Sequence, residues 1–119
     1  KCSGITAPNS RSFVARTPSG RVLLVRNDHP VERRNMTLCL SDDDGETWTT
    51  RCIDARCDVS YPDVDFFGDR IFLTYDRERT GAKEILFASF TACTSFSAQP
   101  SSAFLQIESR LRIECLTNA

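Results

Sequence analysis

Eight residues near the middle of the chain, Ser41-Asp42-Asp43-Asp44-Gly45-Glu46-Thr47-Trp48, restrict the fold more than any other stretch. Three successive acids and a glycine lie between two β-type runs, Met36–Ser41 and Trp48–Ile53. The Asp43 carboxylate can accept hydrogen bonds from N–H groups inside such a loop, and Gly45 can take the positive φ that a tight reversal needs. Thr47-Trp48 then starts the next strand, with the indole as an apolar plug. The spacing predicts a hairpin loop with Asp43 turned inward and Trp48 mostly buried. An EF-hand calcium loop shares the D-x-D-G pattern, but it needs alternating oxygen ligands, a glutamate at its twelfth residue and flanking helices. Counting from Asp42, the twelfth residue is Ile53, within the β-branched Thr49-Thr50-Arg51-Cys52-Ile53. Calcium is set aside.

Similar short runs recur along the chain: Ser12–Arg16, Arg21–Arg26, Asp63–Phe67, Arg70–Asp76 and Glu84–Phe90. Thr17-Pro18-Ser19-Gly20, Gly68-Asp69 and Thr80-Gly81-Ala82 separate them with residues that reverse a strand. No helical period competes, so the fold class is all-β. Val22-Leu23-Leu24-Val25 and Ile71-Phe72-Leu73 are apolar at successive positions, so both faces of those strands need cover. Ser19-Gly20-Arg21-Val22-Leu23 has a counterpart in Gly68-Asp69-Arg70-Ile71-Phe72, at a period close to the ~40–50 residues of a four-stranded propeller blade. The division that follows is a lead-in over 1–9, a unit with the acidic loop over 10–54, a second unit over 55–91 and a tail over 92–119. In the tail only Leu111–Cys115 resembles a strand, and no site is assigned to it.

Composition narrows function by exclusion. Fifteen basic residues oppose sixteen acidic ones, so non-specific nucleic-acid binding is not expected and any cationic site must be local. No long apolar run offers a membrane span, and a start at Lys1 suggests a piece of something longer. Six cysteines lack the C-x-x-C spacing of a zinc site, so no metal and no cofactor is expected. They read as buried free thiols, although adjacent strands could bring Cys39 near Cys52. The compartment stays open.

The spacing S-x-D-x-G-x-T-W, carried by Ser41, Asp43, Gly45, Thr47 and Trp48, resembles the Asp-box of the sialidase superfamily and related β-propellers. Arg33-Arg34-Asn35-Met36-Thr37-Leu38 before it, and Ser60-Tyr61-Pro62-Asp63 and Leu73-Thr74-Tyr75-Asp76-Arg77 after it, extend the resemblance over residues 9–91. It implies roughly two blades of a six-bladed sialidase-like β-propeller, the remaining blades lying outside this chain. The box identifies architecture; in the family it lies on the outer rim, away from the pocket.

The resemblance also implies roles for individual residues. Tyr61, at the start of an innermost strand, stands where the family has its nucleophile, an exception to the two-carboxylate scheme of most glycosidases. A neutral phenol attacks poorly unless a carboxylate takes its proton. Where the family usually carries that glutamate, this chain has Arg11, which cannot act as the base but can bind an anion. Arg33, with Arg34 as fallback, matches a clamp arginine, whose planar fork suits a carboxylate. Arg26 falls within a residue of another clamp position. Asp76 takes the place of an acid that orients a clamp arginine from an N-terminal blade. Arg77 is read as a solvated or rim residue, and His29 as an ordinary loop residue. The implied function is hydrolysis of terminal acidic sugars on glycans; the alternative, favoured by Arg11, is a non-catalytic propeller that binds glycan or protein. Tyr61 and Arg33 are expected at one end of the two units, with Arg11 or Arg26 near enough to share an anion.

Overall fold

The computed structural model describes residues 4–91 and the backbone of 112–116. Eight strands follow one another: β1 Phe13–Arg16, β2 Val22–Asn27, β3 Arg34–Ser41, β4 Thr49–Cys57, β5 Val59–Phe67, β6 Arg70–Arg77, β7 Glu84–Thr91 and β8 Arg112–Leu116. They form two antiparallel sheets in sequential order, β1-β2-β3-β4 and β5-β6-β7-β8. The described residues contain no helix. The acidic loop joins β3 to β4 as the spacing predicts. The second sheet takes its fourth strand from within the segment read as a tail: Ile85 pairs with Leu116 and Ser89 with Arg112.

The sheets pack face to face through one core. Leu23, Val25, Met36, Leu38 and Leu40 of the first meet Val59, Ile71, Leu73, Tyr75, Leu86, Ala88 and Phe90 of the second. β5 lies against β1, β2 and β3. The turns at Thr17–Ser19 and Gly68–Asp69 line one small hollow, so β1 and β5 point the same way. The acidic loop sits at this end too: Arg16 donates to Asp44 at 2.9 Å and Arg21 pairs with Asp42 at 2.7 Å.

One sequence expectation is met and another needs correction. Trp48 is mostly buried, as the spacing predicts, and its indole N–H is out of solvent with no partner among the described residues; its Cζ2 lies 3.4 Å from where a Cβ on Gly45 would stand. Of the described thiols only Cys39 is buried; Cys52 and Cys57 are free and exposed, because the outer strand β4 presents them to solvent. Burial in turn pushes the Cys39 thiol up.

Candidate functional site

The two ends of the sheets differ in backbone character. Asn35, Asp58, Tyr61, Glu78 and Lys83 all have φ between 50° and 60°, and all lie at the end opposite the acidic loop, whose own Asp44 is the sixth such non-glycine residue. Left-handed backbone at a side-chain-bearing residue costs about 1–3 kcal/mol and collects where the surroundings impose it. The β4–β5 connection is Asp58 alone, so β5 begins at Val59, earlier than the run Asp63–Phe67 suggests. Between Ser60 and Asp63 the strand takes three steps while its partner takes two, from Asp76 to Thr74. This bulge holds Tyr61 at φ 53° and accommodates buried Pro62, which has no N–H to offer the ladder.

Hydrogen bonds pin that bulge to the first sheet. Val59 N–H donates to Arg33 O at 3.0 Å, while the buried Asn27 amide donates to Val59 O at 2.8 Å and Arg34 O at 3.1 Å. Arg33 is thereby fixed beside Tyr61, its guanidinium 5.3 Å from the ring centroid. Its Nη2 donates to Asn9 O at 3.0 Å, and among the described residues no carboxylate pairs with it. A second guanidinium, that of Arg79, lies 3.8 Å from the same ring centroid. Its Nε donates to Asp76 at 2.8 Å and its Nη2 contacts the same oxygen, while the Ser60 hydroxyl donates to the other Asp76 oxygen at 2.6 Å. The Asp76 hydrogen bond raises the Arg79 pKa further, so this cation is permanent. An open cleft of about 220 Å³ adjoins the cluster, lined by Glu32, Arg33, Cys57 and Asp58.

Tyr61, Arg33 and Asp76 therefore share one end of the molecule. Arg11 reaches that end but lies 3.7 Å from Asp63, both side chains more than half exposed. Arg26 does not join the cluster: its buried Nη1 donates to Thr6 O at 2.6 Å and to Asp28 at 2.9 Å, on the sheet face turned away from β5. Arg34 pairs with Glu32 at 3.3 Å. Arg77 is occupied by Glu84 and Glu78 at 2.9 and 2.8 Å. His29 is a turn-former, its Nδ1 accepting from the N–H groups of Val31 and Glu32. Sequence reasoning overlooked Arg79 and Asn27. The first was hidden in a charged loop; the second was visible only as an amide ending an apolar run.

In the loop over 41–48, Asp43 accepts from Thr47 N at 2.8 Å, Thr47 Oγ1 at 2.5 Å and Ser41 Oγ at 2.8 Å. Ser41 Oγ in turn accepts from Gly45 N at 2.8 Å, and Gly45 stands at φ 92°. The Asp43 carboxylate and the Ser41 and Thr47 hydroxyls are thus satisfied within the loop, which reads as a structural element. A family described as BNR repeat-like domain matches residues 2–72, a span holding both this loop and Tyr61. The chain belongs to the BNR repeat-like domain family. No curated protein and no solved structure matches the chain. Among the described residues no cluster of acids, histidines and cysteines suits a metal ion, and no helix is long and apolar enough to cross a membrane.

Proposed function

We propose that this chain is part of a sialidase-like β-propeller acting on the terminal acidic sugars of glycans, with Tyr61 at the reacting centre and Arg33 gripping the sugar carboxylate. The observation that carries the reading is the Arg33 guanidinium, lying over the Tyr61 ring with no carboxylate partner among the described residues. A bidentate carboxylate is the natural complement of such a fork. Arg11 lies 3.7 Å from Asp63, two residues beyond Tyr61, and so approaches the border of the same ligand.

A non-catalytic binding module is the second reading. It is favoured by the absence, among the described residues, of any carboxylate accepting from the Tyr61 hydroxyl, and by an arginine at position 11. In the full-length protein, Tyr61→Phe should abolish release of free acidic sugar from a sialylated glycan while binding persists. Arg33→Ala should weaken binding by ~1.5–3 kcal/mol, the range for a lost charged hydrogen bond. Undiminished turnover in Tyr61→Phe removes the tyrosine from the chemistry; wild-type binding without any release establishes the module.

A further inference from the structure

Resting on the acidic-sugar reading, we propose that Ser60 and Asp76 hold Arg79 against the face of Tyr61, making Arg79 a positioning residue for that ring and the second anion-binding cation of the site beside Arg33. The family resemblance gives Asp76 a different partner, an arginine from an N-terminal blade. The geometry instead commits both Asp76 oxygens locally, one to the Ser60 hydroxyl at 2.6 Å and the other to Nε and Nη2 of Arg79. The Asp76 side chain is nearly buried, whereas that of Arg79 is half exposed, so the carboxylate is the anchor and the guanidinium the group presented outward. Nε and Nη2 are engaged by Asp76, and Nη1 lies outside that fork.

A cation above an aromatic face attracts the ring quadrupole, and at 3.8 Å from the centroid the contact is close. Arg33 flanks the same ring at 5.3 Å. Guanidinium groups from the β2–β3 and β6–β7 loops thus both contact the phenol ring, which sits on a strand bulge with left-handed backbone at Tyr61 itself. That arrangement steadies a ring which the bulge alone leaves at a strained position. It also places two positive groups beside the same ring.

The test uses the 119-residue chain with carbon-13-labelled tyrosine; it has two tyrosines, so Tyr75 serves as an internal reference. Arg79→Gln and Asp76→Asn should both move the Tyr61 ring signal and leave that of Tyr75 in place, and the double variant should match Arg79→Gln alone. Titration of the full-length protein with N-acetylneuraminic acid should show about tenfold to a hundredfold weaker binding in Arg79→Gln, with the methyl ester of the same sugar indifferent to the change. Arg79→Lys, which keeps the charge but loses the fork, should recover the binding only in part. Full additivity of Asp76→Asn on Arg79→Gln, or an unmoved Tyr61 signal in either, overturns the relay. Wild-type affinity for the acid in Arg79→Gln overturns the anion role. If the full-length wild type binds no acidic sugar, the functional proposal and the anion role fail together, and the Tyr61 signals in the variants still decide the relay.

Discussion

Asp43 is the residue whose environment makes the sharpest prediction. The Thr47 hydroxyl first, then the Thr47 N–H and the Ser41 hydroxyl, bring its pKa from 3.8 down to about 2. A carboxylate with a depressed folded-state pKa contributes stability that is complete above its unfolded value and lost as pH falls through the folded one. The loop should therefore hold at pH 4 and loosen towards pH 2, seen as a carboxyl carbon-13 midpoint near 2 and faster Thr47 amide exchange below it. Asp43→Asn should remove that pH dependence of the amide. Gly45→Ala is a separate probe. At φ 92° and with the indole 3.4 Å from the new methyl group, it should cost ~1–2 kcal/mol in chemical denaturation.

The strands join across the sheets through a second polar feature. Asp54 of β4 is buried and accepts from the Tyr75 hydroxyl of β6 at 2.9 Å and from Arg56 Nε and Nη2 at 2.9 and 2.6 Å. Burial pushes the Asp54 pKa up, but Arg56 and the Tyr75 hydroxyl outweigh it and the net direction is down. Burial, then Asp54, push the Tyr75 phenol well up, so it stays a donor. Tyr75→Phe should lower stability by about 1.5–3 kcal/mol at neutral pH, and the difference from wild type should shrink as the carboxylate is protonated in acid. A loss unchanged at low pH would place the effect in packing. These strands also mark how far sequence carries. β6 and β7 were legible because glycine turns bracket continuous apolar runs. The bulge of β5 was not, because Pro62 argues against a continuous strand there, and the bulge that admits it is tied by bonds to Asn27 and Arg33 outside its own sheet. Tyr61 and Arg33 were legible as a pair only through a family pattern; Arg79 reaches the ring through a loop whose shape no local residue declares.

At the scale of the whole molecule, the second sheet carries several apolar side chains on the side turned away from the shared core. Phe67 is 80 % exposed, Ile85 is exposed, and Phe72 stacks on Phe87 with centroids 5.9 Å apart. Stacked-repeat architectures usually need ~3 or more units to close their core. The isolated chain should therefore melt broadly and show a sedimentation coefficient that rises with concentration, which Phe67→Ser with Ile85→Ser should suppress. A monodisperse wild-type chain with a steep melt would instead indicate a self-contained pair of sheets.

The way the sheets meet also has a direction. Both run their strands the same way and in the same order, β5 against the first strands and Tyr75 of β6 reaching Asp54 of β4. The contact is therefore between unlike sides: Leu23 faces inward, whereas its sequence counterpart Phe72 lies on the far side of its own sheet, opposite Ile71 and Leu73. No two-fold axis can relate such partners, since a dyad pairs like with like. Each unit has a front and a back, as bricks in an arch do, and the span is set by accumulated rotation rather than by any single joint. Such a design lets one kind of joint serve every pair of neighbours.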